Sequence, residues 1–202
     1  MSTPLRFAAL LSCALLLPAP AHAQGRVRRT FTFVAGAAAG LVVHEGGHIL
    51  TGAAVGARPG FKRLDYGVIP FFVITHDQVS RRREYLISSA GFFAQHAANE
   101  WLLGERSTGK ARGAFQKGWL TFNLATSAVY TTAAIGRFGA PERDTRGMAL
   151  SAGADGMPEP VIGVLVLVPA ALDGVRLFTG DPAWARWASR AAKAGLVLIA
   201  IR

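Results

Sequence analysis

Cysteine is nearly absent: the chain of 202 residues carries a single one, Cys13. That excludes a scaffold stapled by disulfides. Charge is scarce as well. Asp, Glu, Lys and Arg together make up 17% of the residues, against about a quarter in an ordinary soluble domain. Acidic groups are the scarcer kind, 12 against 22 Lys plus Arg, for a formal net charge of +10. There is no internal repeat and no low-complexity tract, and the length suits one domain. What is abundant is apolar: hydrophobic residues reach 51% and the mean hydropathy is +0.30. Such a chain is not of the disordered type, which is poor in apolar residues. A chain both apolar and basic reads either as a nucleic-acid binder with a large core or as a membrane protein whose cations sit in the connections. The positions of the charges decide between the two.

The chain opens as a targeting segment. Arg6 precedes the apolar run Phe7–Leu17, and Pro18-Ala-Pro-Ala-His-Ala23 follows with small residues at Ala21 and Ala23. This is a signal-peptide pattern, with cleavage expected after Ala23. The domain reading is therefore a signal peptide over 1–23, or an uncleaved anchor, and one membrane-embedded domain over 24–202. Cleavage would remove Cys13, the only thiol, and with it any thiol chemistry.

Four longer apolar stretches follow: Phe31–Gly56, Tyr85–Leu103, Trp119–Ile135 and Val161–Phe178, with a short apolar end at Ala194–Ile201. The four have about the length needed to cross a bilayer, and their small residues allow close helix packing in lipid. Cations concentrate between them: Arg58, Lys62, Arg63 and Arg81–Arg83; then Arg106, Lys110, Arg112 and Lys117; then Arg137, Arg143 and Arg146. The positive-inside rule puts the first connection in the cytoplasm, and a cleaved signal peptide puts the new N-terminus outside, which agrees. The +10 charge then orients spans, and no nucleic-acid partner is needed to explain it. Ala183–Lys193, with Trp184, Trp187, Arg186 and Arg190, suits a membrane interface. Phe61–Thr75 differs from the spans. Its β-branched and aromatic residues, with a turn near Tyr66-Gly67 or Pro70, predict a short hairpin. The fold expected is an all-α polytopic membrane protein with about four to five transmembrane helices and a membrane-associated β-hairpin after the first. Its expected place is the bacterial inner (plasma) membrane.

One polar cluster interrupts the first stretch: His44-Glu45-Gly46-Gly47-His48. On a helix, His44 and His48 fall on one face, one turn apart. Two neutral imidazoles so placed can bind one zinc ion, and Glu45 can act as general base toward a zinc-bound water. Ionisable residues inside an apolar span cost roughly 2.5 kcal/mol or more each and usually mark a functional site. The alternative is a buried polar network without metal. Zinc also needs a third protein ligand; His76, His96, Asp155 and Asp173 are candidates. Asp173 stands out, because it ends the apolar run Val161–Leu172. The alternative for Asp173 is an ion pair with Arg176, three residues on.

His44-Glu-Gly-Gly-His48 in one apolar span, with Leu172-Asp173-Gly174 far downstream in another, resembles the site-2 protease family of intramembrane zinc metalloproteases. The likeness covers roughly residues 31 to 180. It implies His44, His48 and Asp173 as zinc ligands, Glu45 as catalytic carboxylate, and a membrane-protein segment as substrate, presented by the hairpin as an extended strand. Ser89-Ala-Gly91-Phe-Phe is similar to the family's Ala-Gly-Pro helix start, with Phe92 in place of proline. Pro169 stands one residue closer to Leu172 than in the family pattern, and the upstream asparagine is missing; Asn99 and Asn123 are candidate substitutes. These departures leave a second expectation open: a catalytically inactive relative that acts by binding a partner.

Overall fold

The computed structural model describes residues 21–66, 69–104 and 113–201, with the backbone alone for 21–23, 64–66, 69–72 and 200–201. The expected signal peptide lies almost wholly outside these residues, as do Arg106, Lys110 and Arg112 of the second connection.

Each expected apolar stretch is a helix. The first, α1, runs over Ala21–Ala54, and β1 (Gly60–Tyr66) and β2 (Ile69–Thr75) follow as an antiparallel pair in which Gly60 faces Thr75 and Tyr66 faces Ile69. The remaining helices are α2 (Arg81–Gly104), α3 (Ala114–Gly136), α4 (Asp144–Ser151), α5 (Glu159–Phe178) and α6 (Ala183–Ile201). The described chain is thus mostly helical with one small two-stranded sheet. Among the described residues, two helices are long and apolar enough to cross a bilayer, Gln24–Ala54 with mean hydropathy 1.3 and Glu159–Phe178 with 2.0.

Glycines set how closely the helices approach. A Cβ on Gly36 would collide with the Phe115 backbone, and one on Gly118 with the Phe33 carbonyl. The side-chain-free faces of α1 and α3 therefore meet nearly backbone to backbone, as small residues allow in lipid. Gly40 lies against Phe122 and Gly36 against Phe115, so α1 and α3 run parallel. Gly47 packs on Ala90 while His48 Nδ1 bonds the carbonyl of Ile87, and His44 and His48 both lie over Gly91; α1 and α2 therefore run antiparallel. Helix α5 returns antiparallel to α3, with Gly163 against Thr131 and Gly174 against Leu124.

Helix α6 packs along the bundle rather than away from it. Ala185, Ser189 and Leu196 form its buried stripe, and Trp184, Trp187, Val197 and Leu198 face outward. The sequence left open how this segment lies; the helix runs back antiparallel to α5, with Ser189 and Lys193 reaching Asp173.

The short helix α4 was not foreseen in the sequence. It is fixed at both ends. Arg143 holds Glu159 with two parallel bonds of 2.6 Å, and Thr145 Oγ1 donates to the same carboxylate at 2.9 Å. Planar two-bond pairing of this kind gives orientation as well as energy. Gly147 sits where a Cβ would strike Ser88 of α2, and Arg81 donates to the Leu150 carbonyl at 2.7 Å.

Candidate metal centre

His44 and His48 lie one turn apart on α1 and both are buried. Their Nε2 atoms are 3.3 Å apart. The third group that meets them is Asp144, the first residue of α4: its Oδ2 is 3.1 Å from His44 Nε2 and 3.2 Å from His48 Nε2. Three donor atoms thus form a near-equilateral triangle. Ligands held about 2.0–2.1 Å from a tetrahedral zinc ion are ~3.3 Å from one another. His48 Nδ1 donates to the Ile87 carbonyl at 2.7 Å. That bond fixes the tautomer and leaves the Nε2 lone pair facing the triangle, the usual outer support of a metal-bound histidine. Three lone-pair atoms converging on one point repel unless a cation or a proton lies among them, so the donor set and its spacing fit a divalent metal.

The surroundings hold this geometry. Gly91 leaves room for both imidazoles: a Cβ there would lie 2.5 Å from His48 Nε2 and 2.7 Å from His44 Nδ1. The Phe92 ring stands edge-on to His44 at 5.3 Å and to Tyr130 at 5.2 Å. The Tyr130 phenol lies within electrostatic reach of the Asp144 carboxylate. Burial pushes the Asp144 carboxyl up, but where a proton rather than a metal lies among the three atoms, the charge it gives His48 and the hydrogen bonds of the two imidazoles outweigh that and hold the group well below the usual carboxylate range. Asp144 is therefore ionised, as a ligand must be.

Glu45 is half-buried beside the triangle and within electrostatic reach of His44, His48 and Asp144. Beside it, a Cβ on Gly46 would meet nothing within 4 Å, so the helix is open there.

The structure brings His44 and His48 together with Glu45 beside them, and the acid that meets the two histidines is Asp144 rather than Asp173. Asp173 does not join the histidines. Its Oδ2 accepts from Asn99 at 2.8 Å, and its Oδ1 accepts from Ser189 at 2.6 Å, Lys193 at 2.8 Å and Arg176 at 3.2 Å. With its lone pairs taken by donors and two cations, the carboxylate has a structural employment, and the pairing with Arg176 is the alternative that the sequence offered. Of the other candidates, His76 contacts Glu84 at 3.5 Å, and neither it nor His96 nor Asp155 joins the triangle.

Asp144 escaped the sequence reading because it lies in a polar connection, Pro141-Glu-Arg-Asp-Thr-Arg-Gly, between apolar stretches. An acid in the first turn of a helix is common for dipole reasons alone. Its meaning comes from the Glu159 clamp and the close seat of α4 on α2, which no local pattern announces. No family model, curated protein or solved structure matches the chain.

Proposed function

We propose that the protein is a minimal intramembrane zinc metalloendopeptidase, with His44, His48 and Asp144 as metal ligands and Glu45 as general base. The observation that carries this reading is the triangle of donor atoms at 3.1, 3.2 and 3.3 Å with a carboxylate next in sequence to one of its members. A bound zinc ion would polarise a peptide carbonyl and lower the pKa of a water to about 7. The protein's own part is then positional and acid–base. The Glu45 carboxylate takes the proton of the attacking water and delivers it to the leaving amide nitrogen. The Glu159 clamp keeps Asp144 in place, and Phe92 shields the His44 side of the site from water.

A membrane setting is supported from outside the site. Large apolar side chains face outward over much of the bundle: Phe31, Val42, Leu50, Val129 and Phe178 are each 66% exposed or more. With α1 and α3 parallel and α2 and α5 opposed to them, four helices alternate in direction, as successive spans do. The same alternation gathers Arg58, Arg81–Arg83, Arg137, Arg143 and Arg146 at one end, the end that the positive-inside rule assigns to the cytoplasm. The substrate class is a membrane-embedded protein segment, and the outer edges of the two-stranded sheet offer backbone groups with which an extended segment could pair. The resemblance to site-2 proteases carries over in this reading with one change, Asp144 in place of Asp173.

The test is Glu45→Gln. Cleavage of a helical reporter segment in vesicles should fall by about 10²-fold or more, with zinc content unchanged; unaltered cleavage would refute the role of Glu45. The displaced third ligand favours a second reading, a metal-binding membrane protein that acts by holding a partner. Full zinc loading with no cleavage of any membrane segment would select it.

A further inference from the structure

Two buried polar atoms on helices packed together, Nδ1 of His44 and Oε1 of Gln95, have no hydrogen-bond partner among the described residues. Gly91 relates the two positions. His44 Nδ1 lies over Gly91, within 2.7 Å of where its Cβ would be. Gln95 is the next residue along the same face of α2, and helical side chains lean toward the N-terminus, so that of Gln95 covers the turn containing Gly91. Leaving both atoms unpartnered is costly, and one bond between them settles both.

The rest of Gln95 is already committed in one direction. Its Nε2 donates to Asn123 Oδ1 at 3.0 Å, Asn123 Nδ2 donates to Asn99 Oδ1 at 2.5 Å, and Asn99 Nδ2 donates to Asp173 Oδ2 at 2.8 Å. Each amide donates onward and accepts from behind, and the chain ends on a carboxylate. The one acceptor left over, at the head of the chain, is Gln95 Oε1. The one donor needed is an N–H on the far nitrogen of a metal-binding histidine, which almost always gives its hydrogen to such an acceptor.

Resting on the metal-centre reading, we propose that Gln95 is the outer partner of His44. Rotation of the side chains lets its Oε1 accept the Nδ1 hydrogen of that ligand, and through Asn123 and Asn99 it then connects the metal centre to Asp173. Gln95 is a positioning residue: it orients the ring and makes Nε2 a better donor to the metal. Asp173 thereby acts on the metal without touching it.

Cobalt(II) titration of the purified full chain tests this, with the visible ligand-field spectrum as a second readout. Gln95→Met, similar in size but a poor acceptor, should weaken cobalt binding by about 10- to 100-fold and shift the spectrum. Gln95→Glu, which keeps an acceptor in place, should bind at least as well as the unaltered chain. Three results would overturn the assignment: Gln95→Met binding as the unaltered chain does, both variants weakened alike, or loss in His96→Phe with none in Gln95→Met. No cobalt binding by the unaltered chain would instead overturn the metal-centre reading beneath it.

Discussion

Two buried polar clusters lie in this bundle and are built in opposite ways. Around His44, His48 and Asp144, three lone-pair atoms converge at 3.1–3.3 Å. Around Asp173 and Glu100, the acids are outnumbered by donors: Arg176, Lys193, Arg190, Ser189 and Asn99 all reach one or the other. The first cluster gathers groups that can bind a metal, and the second pairs its acids with its own cations. A buried carboxylate is thus not by itself a metal ligand; what separates the cases is whether nearby donors already occupy its lone pairs. The difference also divides the labour. The Asp173 cluster ties α2, α5 and α6 together, and the histidine cluster has the spacing of a metal site.

The sharpest way to break that contrast is to remove each acid. Asp173→Ala leaves the buried Arg176 and the half-buried Lys193 with one fewer counter-charge, and breaking a buried pair costs roughly 3–5 kcal/mol. It should strongly lower the thermal midpoint in detergent while a full equivalent of zinc still binds at saturating metal. Loss of zinc from a folded Asp173→Ala protein would erase the distinction.

A smaller effect is expected at Gly91. Gly91→Ala puts a methyl group 2.5–2.7 Å from atoms of both imidazoles. Overpacking of this kind costs about 1–3 kcal/mol, and here the strain falls on the ligands. Zinc affinity should drop along with thermal stability, measurable by competition with a chelating dye; unchanged affinity would show that the ligands are not seated over Gly91.

The smallest effect belongs to an ion pair outside both clusters. Arg58 and Asp77 are in contact at 2.5 Å, but their side chains are 84% and 47% exposed. Surface pairs contribute about 0–1 kcal/mol, so Arg58→Ala should leave both the thermal midpoint and zinc binding nearly unmoved. A large loss would mean that this connection is buried against something else.

Much of this arrangement was legible in the sequence, and the rest was not, for physical reasons. Helix α1 was visible because a long apolar run admits little else, and the hairpin because β-branched and aromatic residues crowd into Phe61–Thr75 around a turn. His44, Glu45 and His48 were visible because helical periodicity alone puts the two imidazoles together. Helix α4 was hidden: eight residues, polar at its start and with Gly147 inside, carry too little pattern to declare a helix. Asp144 was hidden with it, since its role depends on Glu159, fifteen residues downstream, and on Ser88 in another helix. Asp173 was conspicuous for a sound reason, a carboxylate at the end of an apolar run needs a partner. Its partners, though, come from α2, α5 and α6, and only Arg176 was near enough in sequence to be foreseen.

The central claim is that Asp144, not Asp173, completes the metal site. Metal analysis of the purified protein beside Asp144→Ala and Asp173→Ala tests it most directly. The account predicts one zinc per chain in the unaltered protein and in Asp173→Ala, and none in Asp144→Ala. Zinc retained by Asp144→Ala and lost from Asp173→Ala would contradict it.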